Sequence, residues 1–178
     1  MSNLPGTLRW MSFKHPARNK FAKRLSYLMK DILFREVRDP DIRSLARIRA
    51  RNRGTEEQWT SRIKGYLDGT VNPQQALAPR IIYVAHIDEI IVGFIGGHLT
   101  RRFDCEGELE WIDVVEEFRR KGIASQLIRL LAGWFIEQQA YKICIDPGNE
   151  TARIFYGKNG AEQLNEHWMF WADIRNMS

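Results

Sequence analysis

Apolar and polar positions along the chain change period several times, and each change marks a new element. Ile32 to Val37 (ILFREV) spells a short strand, after which DPDIRSLARIRARN offers an acidic first turn and a helical stripe of Ile42, Leu45, Ala46 and Ile48. Thr55-Glu56-Glu57 has the composition of a helix start, with Trp59, Ile63 and Leu67 continuing one face as far as Gly69. The stretch TVNPQQALAP, residues 70 to 79, is turn-rich and is expected to be a loop. RIIYVAHID and EIIVGFIGGHLTRR then read as two strands joined by a tight turn around Asp88. ELEWIDVV is a further strand. Gly122 opens a helix whose apolar positions Ile123, Leu127, Leu130, Leu131 and Trp134 follow the 3.6-residue period. YKICIDP is the next strand, NETARIFYGKNG a short helix ending at Gly160, and AEQL with HWMFWADI supplies closing strands. The pattern predicts a mixed α/β domain, mainly antiparallel in its first half, with a strand–helix–strand unit in its second.

Length and charge sharpen this picture. A chain of 178 residues has room for one sizeable core, and no apolar run reaches the roughly 18 uncharged residues that a membrane span needs. Cys105 and Cys144 carry neither CxxC nor Cys/His spacing, so no disulfide framework or zinc site is suggested and a reducing, cytoplasmic setting fits best. Of the 27 basic residues, seven lie in residues 1 to 30, which hold no acid; the remaining 20 meet all 22 acidic residues. The globular part is therefore nearly neutral. Residues 1 to 30 form a basic extension in which Phe21, Leu25, Leu28 and Met29 stand at helical spacing, and residues 31 to 178 form the domain. The extension reads as a membrane-surface or nucleic-acid contact, a transit segment, or most plainly a helix or frayed arm against the core. Met29 is an alternative biological start.

The chemistry concentrates around residues 113 to 131. A strand that turns directly into a helix presents unpaired N–H groups and the positive end of the helix dipole to any anion. Gly122 and Ala124 lack bulk where a phosphate would approach, and Arg119, Arg120 and Lys121 add positive charge. A triple-basic run alone is more often a solvated face. There is no GxxxxGK[ST] motif, and Gly93, Gly96 and Gly97 sit inside a strand-like run with no helix following, which suits close packing or a bulge rather than dinucleotide binding.

Arg119-Arg120-Lys121-Gly122-Ile123-Ala124 resembles the R/Q-x-x-G-x-G/A signature of the GNAT superfamily of acyl-CoA-dependent N-acyltransferases. Asn149 with Ala152 to Ala161 (ARIFYGKNGA) is similar to the family's N-x-x-A-x-x-F-Y-x-K-x-G-F/A segment. The resemblance covers about the last 148 residues and is strongest from Glu108 to Ala161. Glu116 stands where a proline is common, and Ala124 replaces the commoner glycine. The fold implied is a mixed, mostly antiparallel sheet of about six to seven strands flanked by about four helices and splayed between its fourth and fifth strands.

The resemblance also implies roles. Ile112, Asp113 and Val114 would meet the pantetheine arm of acetyl-CoA by main chain. Arg120, Lys121, Gly122, Ile123, Ala124 and Ser125 would hold the pyrophosphate, with Arg119 or Arg120 adding charge, and Asn149 would bond the pantetheine arm, compatibly with a helix cap. Tyr156 matches the tyrosine near the cofactor sulfur and would act as acid; plain packing is its alternative. Glu108 and Glu110 alternate onto one strand face, either as a base acting through water or as ordinary strand residues that attract a cation. Glu108 matches the catalytic glutamate of the family's histone-modifying branch. His15, His86, His98 and His167 show no metal spacing, although His98 would border the acceptor pocket, as would Trp59 and Trp111. The expected activity is direct acetyl transfer from acetyl-CoA to a small-molecule amine in a ternary complex, with no membrane or nucleic-acid partner and a homodimer left open. A catalytically silent CoA-binding module and a nucleic-acid-associated protein acting through the basic arm are the alternatives.

Overall fold

The computed structural model describes residues 32 to 177, so the basic extension read from the sequence lies outside the described residues. Strand β1 (Leu33–Glu36) leads through a turn into helices α1 (Ile42–Ala50) and α2 (Glu56–Leu67). Strands β2 (Ala76–Ile87), β3 (Ile90–Thr100) and β4 (Gly107–Val114) follow as a meander. Helix α3 (Ile123–Glu137), β5 (Ile143–Ile145), α4 (Glu150–Lys158), β6 (Glu162–Gln163) and β7 (Met169–Trp171) complete the order. The seven strands form one sheet in the order β1-β2-β3-β4-β5-β7-β6, antiparallel except for the β4–β5 pair. The expected mixed sheet with four helices is the fold found among the described residues.

Local chemistry explains the boundaries. Thr55 caps α2: its hydroxyl accepts from the Gln58 N–H at 3.2 Å while the Gln58 side chain accepts from the Thr55 N–H at 3.1 Å, a reciprocal box that stops the helix from fraying. The stretch expected to be a loop is partly strand. Ala76 and Leu77 pair with Thr100 and Leu99, and the Thr100 hydroxyl donates to the Gln75 carbonyl at 3.0 Å. Pro79, which has no N–H for a ladder, falls in the register irregularity between Leu77 and Arg80. Tertiary pairing with a long β3 overrides the local turn composition there.

The sheet is covered on both faces. Leu45, Ala46, Ile63 and Tyr66 of α1 and α2 pack with Ile82, Phe94 and Trp111 from β2, β3 and β4. On the other face Leu127, Leu131 and Phe135 of α3 are buried, each worth about 1.5–3 kcal/mol. Two glycines let α3 lie close. A Cβ on Gly97 would stand 3.0 Å from both Leu131 Cδ1 and Phe135 Cζ, and one on Gly107 would overlap the Phe135 ring.

Candidate active site

Two departures from regular β structure build the site. The β3–β4 register runs from Gly97 opposite Leu109 to Gly96 opposite Trp111, so Glu110 is an extra residue on β4, a β-bulge. Leu109 shares the α3 face with its partner Gly97, while Trp111 joins the Tyr66 cluster on the α1/α2 face. The second departure lies between β4 and β5. Their parallel pairing spans only Gly107 to Leu109 against Ile143 to Ile145, and β4 continues from Glu110 to Val114 with that edge unpartnered.

That edge offers main-chain groups. The Val115 N–H bonds to Val92 O at 2.9 Å on the β3 side, so strand alternation turns the polar groups of Val114, and of Ile112 before it, toward the open edge. Asp113 faces β3 instead: its carbonyl stands 3.0 Å from where a Cβ on Gly93 would lie. Of the three residues expected to offer main chain, Ile112 and Val114 turn their polar groups to the open edge and Asp113 turns its carbonyl to β3. The Val114 carbonyl already accepts from Arg119 Nε at 2.9 Å, which leaves its N–H.

Beyond β4 the chain makes the turn on which the anion argument rests. Arg120 has φ +59° and Gly122 φ +79°, left-handed conformations that swing the backbone into α3. The Arg119 N–H is held by Glu116 O at 3.1 Å and the Gln126 N–H by Gly122 O at 3.0 Å. Between them the N–H groups of Arg120 to Ser125 have no main-chain acceptor among the described residues. A Cβ on Gly122 would meet nothing within 4 Å, so the space over this cradle is open. Six unpaired donors at the start of a fifteen-residue helix are an arrangement that favours a nearby anion. The cations contribute less directly, since Arg119 is spent on Val114 and the Lys121 amine lies over the Phe118 ring at 4.9 Å.

Glu108 and Glu110 reach one face by the alternation expected of them, on either side of Leu109, and the bulge adds Trp111 to that same face. With His98 they place one nitrogen and two carboxylate oxygens within 4.8 Å of one another. Their environments differ. Glu108 is buried and accepts from Arg102 Nε at 2.9 Å, with the Thr100 hydroxyl oxygen 3.4 Å away. Glu110 faces Arg62 at 3.5 Å without a hydrogen bond, and burial pushes its carboxyl above the ordinary carboxylate range, with His98 opposing and the neighbouring Glu108 reinforcing the rise. The two arginines already supply the positive charge that a metal would bring. His98 is wholly enclosed: Nδ1 is 3.2 Å from the Tyr66 hydroxyl and Nε2 is buried without a hydrogen-bond partner. It therefore backs the carboxylates and does not line the cleft, as the sequence had suggested it would.

Tyr156, on α4, packs edge-on to Trp171 with ring centroids 6.1 Å apart. Burial pushes its phenol far up, the Asp113 charge across the open edge adds to this, and Arg49 opposes it. No protein group among the described residues bonds its hydroxyl. Asn149 caps α4, accepting from the Ala152 N–H at 2.9 Å and keeping its amide N–H groups free.

Residues that local patterns did not single out complete the site. Arg49 Nη1 and Asn52 Nδ2 donate to the Asp113 carboxylate at 2.7 and 3.0 Å, tying the end of α1 to β4; burial nonetheless holds that carboxyl above its usual range. Beside this tie lies a cleft of about 200 Å³ lined by Arg49, Asn52, Arg53, Trp59, Arg62 and Trp111. Trp59 and Trp111 both line this cleft. Arg62 follows Trp59 by one helical turn; the Arg49 and Asn52 contacts span more than 60 residues and leave no local signal.

Residues 51–161 match the model of the acetyltransferase (GNAT) family. No curated protein matches the chain significantly. Among solved structures, the fold is similar to that of an acetyltransferase from Thermus thermophilus (TM-score 0.60, 14% identity, covering 78% of this chain and 95% of that one). It is also similar to the PaiA N-acetyltransferase from Thermoplasma acidophilum in complex with coenzyme A (TM-score 0.57, 16% identity, 79% and 98%). A third is AAC(6')-Iy in complex with the bisubstrate analogue CoA-S-monomethyl-acetylneamine (TM-score 0.63, 17% identity, 76% and 94%).

Proposed function

We propose, from the premise that the chain belongs to the acetyltransferase (GNAT) family, that it passes an acetyl group from acetyl-CoA directly to the amine of a small acceptor held in the Arg–Trp cleft. The family's donor supplies an activated acetyl thioester. The observation that carries the reading is the unpartnered β4 edge followed, after one short turn, by six unpaired N–H groups at the start of α3.

Each part of that surface has a task. The N–H groups of Arg120 to Ser125 hold the pyrophosphate, each charge-assisted bond contributing about 1.5–3 kcal/mol. Ile112 and Val114 align the pantetheine arm along the strand edge, and the free amide N–H groups of Asn149 reach it from α4.

The acceptor must lose a proton before it can attack. An alkyl amine with the ordinary lysine pKa is neutral in only roughly one molecule in 2,500 at pH 7. Glu110 is suited to accept that proton, directly or through a water, because burial has moved its carboxyl upward toward working pH. Glu108 is engaged by Arg102 and serves to fix the electrostatics around Glu110. At the other end Tyr156 stays a neutral O–H donor at physiological pH, able to hydrogen-bond the departing sulfur and return a proton to it. As the C–N bond forms and the C–S bond breaks, the thiolate takes the phenol proton, and the tyrosinate regains one from solvent, which receives the protons shed by the amine by way of Glu110.

The test pairs calorimetric titration with acetyl-CoA against CoA release in the presence of an amine panel. Binding accompanied by acceptor-dependent release is expected. Tight binding with no transfer to any amine would favour a silent CoA-binding module instead.

A further inference from the structure

The cleft beside Glu110 carries a charge pattern that acetyl transfer alone does not require. Three of its six lining residues are arginines, and their donors are incompletely used. Arg49 gives Nη1 to Asp113, yet its Nε is buried without a partner. Neither Arg62 nor Arg53 makes a side-chain hydrogen bond among the described residues. Arg62 stands off from Glu110 at 3.5 Å.

These guanidiniums are held in place. Arg49 lies over the Trp59 ring at 4.4 Å and Arg62 over it at 5.3 Å, with Trp111 a further 5.9 Å neighbour of Arg62. The Trp59 indole is itself anchored, donating from Nε1 to Arg53 O at 2.5 Å. Contact with the Trp59 ring restrains two forked donors before any ligand arrives, which lowers the ordering cost of binding. A planar anion is what such forks accept bidentately.

Charge decides against the opposite kind of ligand. Asp113 and Arg49 offset one another, so the cleft meets an incoming acceptor with the cations of Arg53 and Arg62 against the single carboxylate of Glu110. A polycationic amine such as an aminoglycoside would be repelled by that wall.

We propose that the acceptor is an amine bearing an anionic group, a carboxylate, close to the reacting nitrogen, as in an α-amino acid. This deepens the acetyltransferase reading and rests on it. Because Arg62 and Glu110 are only 3.5 Å apart, an ammonium directed at Glu110 brings a carboxylate one carbon away within reach of Arg62. Trp59 and Trp111 give the rest of the acceptor an apolar wall.

The experiment uses the full chain with saturating acetyl-CoA and follows CoA release. Each α-amino acid in the panel is compared with its carboxamide and with its aminophosphonate analogue. At least one acid should exceed its carboxamide about tenfold or more in kcat/KM, and Arg62→Gln should narrow that ratio. Preference for the phosphonate over both would keep the anionic requirement and assign it to a phosphate-like group. Equal or faster turnover of carboxamides or of polycationic amines would overturn the inference while leaving acetyl transfer intact. A second arm decides the matter without turnover: calorimetric binding of N-acetyl-amino acids and their carboxamides to the CoA-loaded protein. Equal affinity for the two would also overturn the inference. Failure to bind acetyl-CoA at all would count against the acetyltransferase reading itself.

Discussion

Replacing Glu108 and Glu110 one at a time by glutamine should split two adjacent carboxylates into opposite roles. For Glu110→Gln, loss of a positioned base lowers kcat/KM by about 10²–10⁴-fold, which is about 2.7–5.5 kcal/mol of barrier. Stability should move the other way. Burial raises the folded-state pKa of Glu110, so between the ordinary carboxylate pKa and that raised value the native state binds more protons than the unfolded chain. The unfolding free energy therefore falls as pH rises through that window, and the penalty persists above it. Glutamine removes the penalty, giving a Tm at pH 8 equal to or above the parent's and no advantage at pH 4. The acidic limb of the pH–rate profile should disappear with it.

Glu108→Gln behaves differently because its carboxylate balances Arg102 at 2.9 Å in a pair whose side chains are only 6% and 14% exposed. Losing that charge-assisted bond costs about 1.5–3 kcal/mol. With about 2–4 °C per kcal/mol for a chain of this size, Tm should fall by about 3–12 °C. Thermal unfolding at pH 4 and pH 8, combined with kcat/KM from CoA release, reads both effects. If Glu110→Gln kept activity within fivefold, or if Glu108→Gln abolished turnover at unchanged Tm, the assignment of the base would be refuted.

Two further variants probe the donor side. Tyr156→Phe should lower kcat at least about tenfold while leaving CoA affinity near that of the parent; unchanged turnover across pH would remove the phenol from the proton path. Gly122→Val places a β-branched residue at φ +79°, costing about 1–2 kcal/mol, and fills the open space over the six amides. Calorimetry should then register lost CoA affinity with the fold retained, and normal affinity would contradict the pyrophosphate seat.

The parts of this architecture that were legible in the sequence are those governed by local period. The stripe of Ile42, Leu45 and Ile48, the β2–β3 hairpin and the amphipathic α3 follow from spacing alone, and the basic junction at Gly122 from its family resemblance. Features set by pairing between distant segments were not legible. Nothing local marks Ala76 and Leu77 as strand until β3 is long enough to pair with them. The run ELEWI reads as clean alternation, yet an extra residue sits within it because β4 must satisfy Gly97 on one side of the bulge and Gly96 on the other. Gly93, Gly96 and Gly97 suggested close packing or a bulge, and both occur. Asp113 was read for its backbone, whereas its carboxylate, bound to Arg49 and Asn52, is the part that the fold uses.

The bulge at Glu110 has a bearing on how such a chain can change over generations. Leu109 faces α3 and Trp111 faces α2, so a strand lacking the residue between them would alternate without interruption and keep its other side chains on their present faces. A single-codon deletion thus leads from this protein to one with a more regular sheet and no carboxylate at the cleft. Regular pairing with β3 does not require the extra residue at this position, and a demand on chemistry would account for its place there.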